Sequence, residues 1–305
     1  MDSQTPATTL NPHVRDQCVL FDEQHHRYTI NHPVWLQKKA DGSGTISVTT
    51  LIHQLFPKFD EQAMATRIYS NIIKKMNAAM MGMDINPFDT GGPQYTATEV
   101  KYLGMSIQQI IDSWEANRIQ ASSLGTNFHK NVEDYLNTQG RQQPSTITTE
   151  FGYFLKFWHD LTTRYPDLSL YRTEWMVYDE TIGLAGSMDC VLQDKQGNLM
   201  ILDWKRSKEI KMSNQYHKGF SVFSKFEDCN WSHYQLQLNF YREILERHYN
   251  KRVVFMMNVV CHPDHPSYLC YPVQHIDVSK VWSYLPDLAR QQQQREHDEH
   301  WGGKH

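Results

Sequence analysis

The chain has few cysteines and no Cys-x-x-Cys pair: Cys18, Cys190, Cys229, Cys261 and Cys270 are scattered singly along 305 residues. That spacing argues against a zinc knuckle, an iron–sulfur cluster or a disulfide framework, and it points to a reducing compartment. No apolar run approaches the roughly eighteen residues of a membrane span, and the amino terminus is not basic-then-apolar. The expectation is a soluble intracellular protein with no membrane association. Positive charge is also short, with 30 Lys and Arg against 34 Asp and Glu and a net charge of −4. No global basic field draws this protein onto nucleic acid, so any such binding must be local. A local patch does exist, because Lys205, Arg206, Lys208, Lys211, Lys218 and Lys225 follow one another with few acids between them. Apolar content is ordinary at 40%, enough for a sizeable core in one large domain or two.

The most informative stretch is 170–207. Its β-branched and aromatic runs, the Gly-containing break at 181–183 and the polar turn at 194–197 predict three antiparallel strands. Strand side chains alternate faces, so Asp203 and Lys205, separated by Trp204, share one face. Asp189 on the preceding strand can sit across from them. Two carboxylates and an ammonium inside apolar runs are costly to bury, and a cation or a phosphate is the usual compensation. Taken alone an Asp-x-Lys triplet is worth little, and an exposed ion pair at a strand end is the bland alternative.

Upstream, residues 1–19 are polar, and 19–48 suggest a small hairpin or meander in which Val34-Trp35-Leu36 is one of the strands, broken at Asp41-Gly42-Ser43-Gly44. Ser47 or Thr49 can cap a short helix ending at Pro57, and Asp60 a longer one to about Met80. The Gly- and Pro-rich segment 81–95 is the expected mobile loop. Ser106 to Gln109 matches a capping box. Residues 1–120 thus read as a hairpin plus helical subdomain, either a packing layer or a cover over the site. In 122–137, Gly125 ends one helix and Thr126 caps the next, which places His129 in a first turn and Glu133 one turn later on the same face. An amphipathic helix around 151–161 is expected to cover the sheet. A strong helix at 233–249 carries Gln237 and Tyr241 four apart. The run 252–260 reads as a strand buried on both faces and parallel to the one bearing Lys205. A last strand at 268–273, then a helix from about 278 and a polar tail, close the chain at 277–305.

The fold class expected is α/β, with a helix, three strands, a helix and a fourth strand over 121–276. At this point the residues resemble the PD-(D/E)XK nucleases, in the RecB-like branch that includes the mitochondrial genome maintenance exonuclease and viral or phage-type members. The matching pieces are G-T-x-x-H-x-x-x-E at 125–133, Glu174 on a strand, G-S-M-D at 186–189, D-W-K at 203–205 and Q-L-x-x-Y at 237–241. The likeness covers about residues 120–262, and Met188 stands where the family name has Pro.

The resemblance implies a mixed sheet flanked by helices and a metal-dependent deoxyribonuclease. It implies Mg²⁺ or Mn²⁺, and no iron–sulfur cluster, with His129, Asp189, Asp203 and the Trp204 carbonyl as ligands. Lys205 would orient or deprotonate the attacking water, its pKa depressed by the ion and by desolvation. Glu174 and Glu133 would bind a second ion or orient the ligands. Arg206, Lys208, Gln237 and Tyr241 would touch phosphates. The implied partner is DNA, single-stranded or with free ends, processed by an exonuclease of replication, repair or recombination. A structure-selective or nicking endonuclease and a catalytically silent nucleic-acid-binding module are the alternatives.

Overall fold

A computed structural model describes residues 6–38, 44–80 and 94–284. In chain order the elements are β1 (Val19–Asp22), β2 (Arg27–Ile30), α1 (Pro33–Lys38), β3 (Ile46–Ser47), α2 (Val48–Gln54), α3 (Glu61–Met80), α4 (Ala97–Lys101), α5 (Ile107–Asn137), α6 (Thr149–Arg164), β4 (Ser169–Asp179), β5 (Leu184–Gln193), β6 (Leu199–Lys205), α7 (Asn230–His248), β7 (Val253–Val260) and β8 (Leu269–Pro272). Contacts divide the chain into Lys58–Thr126 on the one hand, and Met1–Pro57 with Asn127–His305 on the other. The sequence reading draws this boundary at residue 120 and gives 47–57 to the helical part. Instead α2 stays with the larger unit, where Leu51, Ile52 and Leu55 share a core with Leu236 and Phe240 of α7.

The larger unit holds a mixed sheet of six strands running β3-β5-β6-β7-β8, with β4 also paired to β5. The β4–β5 and β5–β6 pairs are antiparallel, as their short connections require. Asp194 builds the second of these turns by accepting the Gln196 and Asn198 amides at 2.9 and 2.8 Å. Gly183 builds the first at φ +68, with the Trp35 indole so close that a Cβ would lie 2.1 Å from its ring. Only glycine satisfies both demands. β6 and β7 are parallel, because the long α7 crossover returns the chain to the starting edge, and β8 closes antiparallel on β7.

Helices flank both faces. On one, α2 and α7 pack with Trp175, Met188, Ile201 and Met256. On the other, Phe128 and Val132 of α5 and Phe151, Phe154 and Phe157 of α6 pack with Cys190, Leu202, Trp204 and Val259. Each large side chain so buried contributes about 1.5–3 kcal/mol, which is why α6 lies where its amphipathic pattern puts it.

Three local expectations are corrected. Val34, Trp35 and Leu36 form α1, not a strand: Pro33 suits a first helical turn, and Trp35 is buried with Val19, Ile30 and Tyr178. α5 runs unbroken through Gly125, so Thr126 caps nothing and donates its hydroxyl to Ser122 O, and His129 lies in the second half of a long helix. A Gly in a helix costs about 1 kcal/mol, less than burial of Phe128, Val132 and Leu136 returns. The outer half of β7 is not buried on both faces, since Val254 and Phe255 are exposed.

The smaller unit is helical. Asp60 Oδ1 accepts the Ala63 amide at 2.8 Å to start α3, and Ser106 with Gln109 closes the expected capping box at 3.2 and 2.8 Å. Ala65, Ile72, Tyr102 and Ile110 are its core, tied by a Lys75–Glu99 pair at 2.6 Å. Most of the expected loop at 81–95, like part of the 41–44 turn and the segment 285–305, lies outside the described residues. Among the described residues no helix is long and apolar enough to cross a membrane.

Candidate active site

Asp203 and Lys205 stand on the α7 side of β6, as their spacing demands. The Lys205 ammonium is 2.5 Å from Asp203 Oδ2, donates to Gln237 Oε1 at 3.1 Å and lies 4.7 Å over the Tyr234 ring. Gln237 and Tyr234 are three apart on α7, so one helix face steers the lysine. Asp203 is 2% exposed, and apart from that ion pair its Oδ2 has no hydrogen-bond partner among the described residues.

Asp189 lies on β5 beside this pair. Its Oδ2 accepts the Trp204 amide at 2.8 Å and faces His129 Nδ1 at 3.5 Å. Glu174 sits on β4 between Thr173, opposite Cys190, and Trp175, opposite Met188, which places it across from Asp189. Its backbone is left-handed at φ +44, uncommon for a strand residue with a side chain, and the Ser187 hydroxyl donates to its Oε2 at 3.1 Å. Strain of this kind costs on the order of 1–3 kcal/mol and collects at functional positions. Ligand atoms of His129, Glu174 and Asp189 all lie within 4.8 Å of one another.

The electrostatics follow from crowding. Burial pulls the His129 imidazole down, but the Asp189 carboxylate outweighs it and carries the group up to about 9. Burial and the Asp189 charge push Glu174 up to about 8. Burial raises Asp203 to about 6 against the pull of Lys205, while Asp189 is held low because His129, Lys205 and the Trp204 amide overcome its burial. Lys205 departs from the sequence reading: burial does pull it down, but Asp203 and Asp189 raise it, so without an ion it is a firm ammonium.

Other expected contacts are redirected. Arg206 Nε donates to Glu150 of α6 at 2.8 Å in a largely buried pair, so one side of its guanidinium is held by the protein. Lys208 is 76% exposed and pairs with Asp264 at 2.7 Å. Tyr241 does not face a groove: it is 3% exposed, its ring against Gly186 and its hydroxyl accepting from Gln237 Nε2 at 3.3 Å. Glu133 is outside the ligand group and half-buried, bonded to Asn137 at 3.3 Å, and burial raises its carboxyl. The Trp204 ring goes to the opposite face, against Phe154 and Phe157 at 5.3 and 5.8 Å, so only its main chain reaches the site.

Sequence reasoning missed Ser187, Tyr234 and Tyr28. Ser187 lies inside G-S-M-D and Tyr234 one turn before Gln237, so spacing could have found both. Tyr28 belongs to the hairpin, and only the fold brings it near enough that Glu174 and Asp189, added to burial, hold its phenol up at about 12. A second group, Asp179, Glu180 and His248, also gathers ligand atoms. There Arg15 binds Glu180, and Thr181, His248 and Trp282 bind Asp179, so its charges are already answered within the protein.

No family model and no curated protein matches the chain. Among solved structures, the crystal structure of SSO0001 aligns at a TM-score of 0.31 and 12% identity, over 85% of this chain and 84% of that one. A likeness that slight carries no argument.

Proposed function

We propose that the protein is a divalent-metal-dependent deoxyribonuclease with a PD-(D/E)XK core of the RecB-like kind, acting as an exonuclease on DNA ends in replication, repair or recombination. The observation that supports this best is the gathering of His129, Glu174 and Asp189, whose ligand atoms lie within 4.8 Å of one another, with the Asp203–Lys205 pair outside that group but beside Asp189: three carboxylates against one ammonium and one imidazole. Such a set is uncompensated when all three acids are ionised, and a cation answers it. The donors fit Mg²⁺ or Mn²⁺: oxygens suit hard ions, one imidazole favours Mn²⁺, and Asp203 Oδ2 is buried with the Lys205 ammonium as its one partner among the described residues. His129, Asp189, Asp203 and the Trp204 carbonyl would hold the ion, with Glu174 beside them. A bound divalent ion supplies charge stabilisation at a phosphate and acidifies water.

The chain's own residues do the rest. Lys205, steered by Gln237 and Tyr234, presents an ammonium that orients water and phosphate oxygen. Ser187 holds Glu174 toward Asp189. The exposed lysines Lys211, Lys218 and Lys225 supply phosphate contacts along the loop after β6.

The test is cleavage of end-labelled single- and double-stranded DNA and of a covalently closed circle, with Mg²⁺, Mn²⁺ or EDTA. The expected result is metal-dependent loss of label from linear substrates with the circle intact. Nicking of the circle identifies an endonuclease. DNA binding with no cleavage in either ion identifies a silent binding module and ends the enzyme reading.

A further inference from the structure

β7 carries one polar residue in an otherwise apolar run, Asn258 in VVFMMNVV. It pairs with Asp203 in the parallel β6–β7 ladder, so the two are one strand spacing apart, about 4.8 Å, and share a face. That face is the α7 side: Met257, Val259 and Cys261 pack with α6, whereas Met256 packs with α7. Asn258 is 1% exposed, and neither its Oδ1 nor its Nδ2 has a hydrogen-bond partner among the described residues. Proteins rarely leave both ends of a buried amide unmet, and valine or leucine would suit this strand better. Beside it, Asp203 Oδ2 depends on the Lys205 ammonium at 2.5 Å alone.

We propose that Asn258 is a positioning residue of the site, whose amide Nδ2 takes the Asp203 carboxylate when the Lys205 ammonium leaves it for substrate. A Lys205 ammonium drawn toward a phosphate loosens its hold on Asp203, its partner at 2.5 Å. Gln237 is already engaged, its Oε1 by Lys205 and its Nε2 by Tyr241. Asn258 has a donor without a partner among the described residues, in register with Asp203 on the neighbouring strand. The inference rests on the reading of Asp203 as a metal ligand.

The test compares wild type with Asn258→Leu and Asn258→Val in the full chain. Mn²⁺ affinity by titration calorimetry and cleavage of linear DNA are both measured well below each variant's melting transition, so that the folded fraction does not enter. Loss of a partner to a metal-binding carboxylate typically costs about 10–100-fold. That loss is expected in Mn²⁺ affinity and in cleavage, while melting of the metal-free variants stays at or above wild type, because two unmet polar atoms are gone. Wild-type Mn²⁺ affinity in either folded variant overturns the proposal, whatever happens to melting. If wild type binds Mn²⁺ but cuts no DNA, the nuclease reading falls, and the affinity comparison still decides this one. If wild type cuts and the variants match it in rate and affinity, only this inference falls.

Discussion

Gly186→Ala perturbs the site from behind. Gly186 lies on β5 with the Tyr241 ring against it, and a methyl there would stand 2.6 Å from Cε1, 3.1 Å from the hydroxyl oxygen and 3.3 Å from Cζ. Comfortable carbon–carbon contact is about 3.5–4 Å, so the ring must withdraw by about 1 Å. It has no solvent to withdraw into, being 3% exposed and part of the core that α7 makes with the sheet. Overpacking of this kind costs about 1–3 kcal/mol, to be read as a fall in the urea midpoint at unchanged slope. The shift is also passed along: the Tyr241 hydroxyl accepts from Gln237, and Gln237 accepts from Lys205. Misplacing a reacting group by about 1 Å costs on the order of 10²-fold, so DNA cleavage by the folded variant should fall about 10–100-fold. Tyr241→Leu removes the ring and makes room for the methyl. In the double variant the two stability penalties should therefore fall short of their sum by on the order of 1 kcal/mol. A wild-type midpoint for Gly186→Ala, or strict additivity in the double variant, would refute the contact chain.

Four further outcomes are expected. Lys205→Met should abolish cleavage and, by leaving Asp203 buried and unpaired, destabilise the metal-free protein by about 3–5 kcal/mol; adding Asp203→Asn should recover most of that stability, and no recovery on denaturation would show the pair to be uncoupled. His129 is a cation below about 9 in the metal-free site, so its proton must leave on metal binding; Mn²⁺ affinity should rise with pH up to that value and lose much of this rise in His129→Ala, and calorimetry showing an unchanged slope would remove His129 from the ligand set. Burial opposes ionisation of Asp179, but hydrogen bonds from His248, Thr181 and Trp282 hold it down at about 2; its stabilisation is complete above the ordinary carboxylate value of about 4 and is lost as pH falls toward 2, about 2 kcal/mol in all, so Asp179→Asn should flatten acid unfolding in that window. Gly125 is helical with open space around a would-be Cβ; Gly125→Ala should raise the melting temperature by the equivalent of about 0.5–1 kcal/mol, and a lower one would mean the helix needs glycine there.

What the sequence determined by itself is what short-range geometry dictates. A period of two puts Asp203 and Lys205 on one face whatever surrounds them, a tight polar turn makes β5 and β6 antiparallel, and the long α7 crossover makes β7 parallel to β6. The α/β class, the hairpins, the caps at Ser47, Asp60 and Ser106, and the approach of Asp189 to Asp203 all follow from such rules. Tertiary structure decided what depends on partners distant in the chain. Arg206 looks like a free cation until α6 delivers Glu150, 56 residues away. Tyr241 looks like a groove residue until Gly186 admits its ring. α5 survives Gly125 because the sheet buries its apolar face, and Val34 to Leu36 turn helical because Trp35 has a pocket under Gly183. Nothing local distinguishes Asn258 from a strand defect. Only the β6–β7 register sets it beside Asp203, because burial and hydrogen-bond satisfaction are properties of an assembled interior and not of a segment.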